Sequence, residues 1–231
     1  MSAMTAQPID RSSPLGRPYP QPPRLAELRL RTRTGPLQAR VAWPAAADVP
    51  PALLVFFPAP GRDAASVCRG LCRLAGVVVL SAPPRSGPTE PASTAFDDAA
   101  AVLGWAADHA DELDADPGRL VVGGEGAGAA LAAAVTLHAR DQWWPAIGRQ
   151  VVIHPELDAW SASVPYASSL RGAPLAGAPP ATVVSGAAPG DGGRVYAARL
   201  REAGVEVEEL EHDGGVTGSL LADVAKSLLR G

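Results

Sequence analysis

The fold class predicted here is α/β, a mostly parallel, doubly wound sheet led by an antiparallel hairpin. Three observations predict it. Two alternating apolar–polar runs flank a turn near the start of the chain. Short β-branched runs then alternate with longer helical patterns as far as the C-terminus. One of those runs passes straight into a glycine turn and an alanine-rich helix.

The first 24 residues hold six of the chain's 24 prolines and almost no apolar periodicity, which predicts a disordered or loosely draped arm. Residues 25–231 form a single domain in this reading. LAELRLRT and LQARVAW then alternate around Thr34-Gly35-Pro36, the pattern of a hairpin. ALLVFFP (Ala52 to Pro58) is a buried-strand run ending in the Pro/Gly loop PAPGRD. Asp63 to Leu74 predicts a helix, because VCRGLCRL spaces its apolar residues three and four apart. Val77 to Leu80 is a short strand and Ala95 to Leu113 a long amphipathic helix. Asp116-Pro117-Gly118 turns the chain into the strand Leu120 to Val122, and helix 127–139 follows. Strands Val151 to Ile153, Ala181 to Val184 and Val205 to Leu210 come next, with helices Val195 to Ala203 and Ser219 to Leu229. Residues 158–180, rich in small residues, predict a reduced cap or loop over the sheet.

Composition narrows the function classes. The 231 residues are 47% hydrophobic and 19% charged, enough for one domain with a sizeable core. A net charge of −4 with scattered arginines argues against a nucleic-acid or anionic-membrane partner. No apolar run reaches the length of a membrane span, and MSAMTAQPIDRSS lacks the layout of a signal peptide. Cys68 and Cys72 stand four apart on one predicted helix, a poor geometry for a disulfide, and two thiols make no metal cage. They read as buried thiols of a cytoplasmic protein. No metal site and no cofactor is expected, and the oligomeric state is open.

The glycine turn carries the chemical question. Gly124-Glu125-Gly126-Ala127-Gly128 keeps the spacing of a nucleophile elbow, G-x-S-x-G, with glycine in place of the central serine. Around it the chain resembles the α/β-hydrolase superfamily, in its hormone-sensitive-lipase-like esterase branch, from about Leu28 to the C-terminus. LRTRTGPLQARVAWP resembles that branch's opening hairpin, DADPGRLVVGGEGAGAALAAA its elbow, and APPATVVSGAAPGDGGRVYAARLREAGVEVEELEHDGGVTG its acid-to-histidine segment.

The resemblance places the family's serine on Gly126, its acid on Ala187 and its histidine on Thr217, with Asp191 the acidic residue that survives. The oxyanion loop falls on Pro58-Ala59-Pro60-Gly61, where neither proline has an N–H to offer. Losing serine or histidine from such a triad costs about 10⁶-fold in kcat. The expectation is therefore a pseudo-hydrolase with a degenerate triad. It would be a non-hydrolytic biosynthetic enzyme acting on a small, largely apolar molecule, of cyclase, isomerase, dehydratase or epimerase type. A small-molecule-binding protein or receptor is the first alternative, because plant gibberellin receptors belong to this branch. A scaffold is the second.

Candidate residues follow. Glu125 is either the family's retained structural carboxylate or, unshielded by Gly126, a general acid or base. His212, next to Asp213, is either a surrogate base for the position of Thr217 or a solvated loop histidine. His154, Glu156 and Asp158 alternate after a strand, a spacing that would put all three on one face as a weak metal signature, whereas the resemblance implies a Pro-x-x-Asp turn in which Asp158 is structural. Pro58, Ala59, Pro60, Gly61, Arg62, Trp160 and Tyr166 are expected to line a small-molecule pocket at the carboxyl ends of the strands. Trp143 and Trp144 flank the same cap, and Arg62 and Arg85 could pair with a ligand carboxylate.

Overall fold

In the computed structural model of the protein, the structure describes residues 23–33, 35–45, 49–59, 64–83, 85, 92–159, 166, 172, 174–188 and 190–230. The expected arm, except for its last two residues, thus lies outside the described residues, as do Pro60, Gly61, Arg62 and Trp160 of the expected pocket.

The strands are β1 (Arg24–Thr32), β2 (Gly35–Trp43), β3 (Ala52–Phe57), β4 (Val78–Ser81), β5 (Asp116–Glu125), β6 (Arg149–Ile153), β7 (Ala181–Ser185) and β8 (Val207–Glu211). The helices are α1 (Ala64–Ala75), α2 (Ala92–Asp108), α3 (Ala127–Gln142), α4 (Gly192–Glu202) and α5 (Gly218–Leu229). They build one sheet in the order β1-β2-β4-β3-β5-β6-β7-β8. β1 and β2 pair antiparallel in register from Arg24↔Trp43 to Thr32↔Gly35, and β2 joins β4 antiparallel. From β4 to β8 every pairing is parallel. The hairpin and the doubly wound sheet are as predicted.

Alternation along β3 shows how the two layers are built. Leu53, Val55 and Phe57 face a core shared with α2 and α3, whereas Leu54 and Phe56 face one shared with α1 and α5. α4 packs beside α3 through Leu157, Tyr196 and Leu200. Because α3 is covered on nearly every side, its alanines suit it: Ala129 to Ala134 and Val135 are buried, and short side chains let it sit close against β3, β5 and β6. Cys68 and Cys72 are buried on α1 outside any disulfide, and burial pushes the Cys72 thiol up to about 12.

One contact corrects the sequence reading of Arg85. Its guanidinium donates to both carboxylate oxygens of Asp98, from Nε at 2.7 Å and Nη2 at 2.6 Å, and Asp98 is fully buried. Thr32 Oγ1 donates to the same carboxylate at 2.9 Å. Arg85 thus ties the hairpin to α2, a fixed ion pair rather than a waiting ligand site.

Among the described residues no helix is long and apolar enough to cross a membrane, and no cluster of three or more His, Cys, Asp or Glu is placed to hold a metal.

Candidate functional site

The turn between β5 and α3 explains its own glycines. Gly126 takes φ 58 and ψ −123, a region that side-chain-bearing residues rarely enter. A Cβ on Gly124 would lie 2.4 Å from the carbonyl oxygen of Gly128, and one on Gly128 would lie 2.1 Å from that of Phe57. Both flanking glycines are therefore demanded by the close crossing of α3 over the sheet. Gly126 is different: its Cβ would meet Glu156 Oε1 at 3.1 Å and Ala59 Cβ at 3.4 Å, so a side chain there would press on neighbours without striking backbone. Its amide donates to the Ile153 carbonyl at 2.9 Å, and its own carbonyl accepts from Glu156 N–H at 3.1 Å. The elbow is thus clamped to the segment that follows β6.

Around this turn the carboxyl ends of β5 to β8 bring charged and imidazole groups together. Glu125 is buried, 7% exposed, at the last residue of β5. His154 follows β6 with φ 44, and its N–H donates to the Val184 carbonyl at 3.0 Å. That left-handed residue ends the strand, so the alternation expected through His154, Glu156 and Asp158 stops at Ile153. Burial, foremost, holds the His154 imidazole below its ordinary range; His212 adds to this, and Asp191, Glu125 and Asp213 oppose it.

The last two strands supply the rest. His212 lies with its ring centroid 6.4 Å from that of His154. Its Nε2 is 3.1 Å from Thr217 Oγ1, so histidine and threonine do meet at the position where the family resemblance expects a histidine. Thr217 also caps α5, its hydroxyl accepting from Leu220 N–H. His154 Nε2 and His212 Nδ1 are buried without a hydrogen-bond partner among the described residues. Ala187, where the sequence reading expected the family's acid, has its N–H held by Asp213 at 2.8 Å, and Asp191 caps α4 by accepting from Gly193 and Arg194 N–H. Asp191 is thereby accounted for as a helix cap.

The expected pocket lining divides. Pro58 is buried and Ala59 stands against Gly126, both beside the elbow. Tyr166 does not: its ring stacks on Phe96 at 6.2 Å and meets His138 at 5.9 Å. His138 is twelve residues on from Gly126, roughly 18 Å along the helix at 1.5 Å per residue. Trp143, 93% exposed, and Trp144, which lies over Gly104, are at that same far end. Cavities of about 330 Å³ between the hairpin and α1, and about 620 Å³ beside Trp43 and Asp114, are also away from the elbow.

Known proteins share this architecture. A family model described as alpha/beta hydrolase fold matches residues 59–164, which include the elbow. An esterase of Pyrobaculum calidifontis superposes with a TM-score of 0.78 at 27% identity, covering 90% of this chain and 85% of its own. EstE1, a thermostable carboxylesterase cloned from a metagenomic library, gives 0.77 at 26%, covering 92% and 90%. The chain belongs to the α/β-hydrolase superfamily. Within it, the relatives place the chain in the hormone-sensitive-lipase-like branch. Esterase LipI of Mycobacterium tuberculosis is 30% identical over 162 residues, 66% of this chain and 50% of LipI. Carboxylic ester hydrolase LipN of the same organism is 39% identical over 127 residues, 51% of this chain and 33% of LipN. The chain thus spans about half the length of LipI.

These relatives correct the functional expectation. They are esterases and carboxylesterases, which points to hydrolysis and away from a pseudo-hydrolase, a non-hydrolytic biosynthetic enzyme, a receptor or a scaffold. The step that failed is identifiable. The sequence reading put the family's triad on Gly126, Ala187 and Thr217 and took their side chains to exclude an acyl-enzyme. Extending that to hydrolysis by every route ignored other groups the sheet brings to the same place. Glu156, grouped in the sequence reading with His154 and Asp158, was not placed at the elbow, since its contact with Gly126 depends on the left-handed turn at His154.

Proposed function

We propose that the chain hydrolyses carboxylic esters of small molecules at the carboxyl ends of β5 to β8. The observation that carries this reading is the convergence of Glu125-Gly126, His154 and His212-Thr217 on one elbow, in a scaffold whose relatives are ester hydrolases. Gly126 has no hydroxyl, so water takes the nucleophile's part. The water oxygen adds to the ester carbonyl as its proton passes to a base of the site. The tetrahedral intermediate then breaks its bond to the alkoxide, which leaves as the alcohol after taking a proton. The products are one acid and one alcohol.

The positive end of the α3 dipole, directly after Gly126, faces the developing oxyanion and favours it. His212 is the group we assign to proton delivery at the leaving oxygen, because its ring is held by the Thr217 hydroxyl while its other nitrogen has no protein partner among the described residues. Asp191, Glu125 and Asp213 act electrostatically on the His154 imidazole. The test is turnover of p-nitrophenyl acetate, butyrate and hexanoate by the purified chain and by His212→Gln. The variant should lose about 10²-fold or more in kcat/KM while melting at the same temperature. A rate equal to buffer for the wild type on all three esters would defeat the reading.

A further inference from the structure

Glu156 belongs to none of the roles assigned so far, yet its carboxylate occupies the most informative place in the molecule. Oε1 lies 3.1 Å, and Cδ 3.7 Å, from where a Cβ of residue 126 would stand. A serine side chain at 126 would grow into that carboxylate. The two positions therefore complement one another: the side chain missing from the elbow leaves room for one arriving from the next strand's end.

The backbone fixes the approach. Glu156 N–H donates to the Gly126 carbonyl at 3.1 Å, and the Glu156 carbonyl accepts from Ala159 N–H at 3.0 Å, so the residue is held in a turn against the elbow. His154, at φ 44, bends the chain so that this happens. α3 begins at Ala127, directly after the elbow. Glu156 is also exposed, so water reaches it.

We propose that Glu156 is the catalytic base that activates water, standing in for the side chain that Gly126 lacks; the proposal rests on the hydrolytic reading above. The Glu156 carboxylate takes one proton from water as the water oxygen bonds to the ester carbonyl carbon. The carbonyl electrons move to oxygen and return as the carbon–alkoxide bond breaks. The alkoxide leaves with a proton from His212, and the proton on Glu156 restores His212 through solvent. Nothing is oxidised or reduced, and no co-reactant is needed.

The experiment compares wild type, Glu156→Gln and Glu156→Ala on p-nitrophenyl butyrate, with and without sodium formate. Single-turnover reactions in water labelled with heavy oxygen complete it. Glu156→Gln should lower kcat by about 10²–10⁴-fold while KM stays within about twofold. Formate should restore part of the rate of Glu156→Ala, since the vacated space beside Gly126 admits a small carboxylate, and should leave wild type unchanged. The heavy label should appear in butyrate and not in the Glu156 peptide. Wild-type turnover matched by Glu156→Gln overturns the role of Glu156 and leaves hydrolysis standing. Label in the Glu156 peptide overturns it in favour of a covalent carboxylate nucleophile. An inert wild type removes the hydrolytic reading and this proposal with it.

Discussion

Gly126→Ser restores the elbow's usual residue, and the structure predicts that the chain resists it. Gly126 sits at φ 58, ψ −123, where a residue with a Cβ costs on the order of 1–3 kcal/mol. The added Cβ would also meet Glu156 Oε1 at 3.1 Å and Ala59 at 3.4 Å, tight enough that the Glu156 carboxylate must withdraw by a few tenths of an ångström. Glu156 is an exposed, flexible side chain, so that second cost is small. For a chain of this length 1 kcal/mol shifts the melting temperature by about 2–4 °C, so a fall of about 2–12 °C is expected, with cooperative unfolding retained. Thermal unfolding by circular dichroism reads it. Gly128→Ala is the control. Its Cβ would come within 2.1 Å of the Phe57 carbonyl oxygen, backbone that cannot move aside, and the loss should be clearly larger. A Gly126→Ser protein that melts above wild type would refute the placement of the elbow and of Glu156 against it.

Three further outcomes follow from individual contacts. Asp98→Ala strands the Arg85 guanidinium and removes a fully buried partner of Thr32, so unfolding in urea should show a loss of about 3–5 kcal/mol, toward the low end because Arg85 is a quarter exposed. Tyr196→Phe removes the buried hydroxyl that donates to Gln150 Oε1 at 2.9 Å, which should cost about 1–3 kcal/mol in the same assay. His154 is held below its unfolded value of 6.5, so between those two values the unfolded chain binds more protons. Stability should therefore fall as pH drops from about 6.5 toward the folded value, and His154→Gln should flatten that segment of the pH–stability curve.

Much of the fold could be read from local pattern. Thr34-Gly35-Pro36 between two alternating runs announced the hairpin, and ALLVFF announced a central strand buried on both faces. The elbow was legible for a stronger reason: Gly124 and Gly128 are required by contacts the spacing itself implies. What escaped depended on distant segments meeting. Asp98 gave no sign that it would be buried under Arg85, because the pair joins the second turn of α2 to a loop after β4. Glu156 looked like the middle of an alternating strand end, and only the left-handed backbone of His154 swings it to Gly126. Tyr166 was placed at the pocket from its neighbourhood in sequence, whereas its ring settles between Phe96 and His138 at the far end of α3. His212, read as either a surrogate base or a solvated loop histidine, has its Nε2 3.1 Å from Thr217 Oγ1, a contact across five residues that the sequence pattern did not announce.

The measurement that bears most directly on the central claim is the time course of p-nitrophenol release from p-nitrophenyl butyrate at enzyme concentrations high enough to see the first turnover. Water attack without an acyl-enzyme predicts linear release from time zero, no burst, and one butyrate formed per phenol. It also predicts that the double variant Glu156→Gln/His212→Gln falls to the buffer rate while keeping its fold. A burst stoichiometric with enzyme would contradict direct attack by water, and a rate indistinguishable from buffer in the wild type would contradict hydrolysis itself.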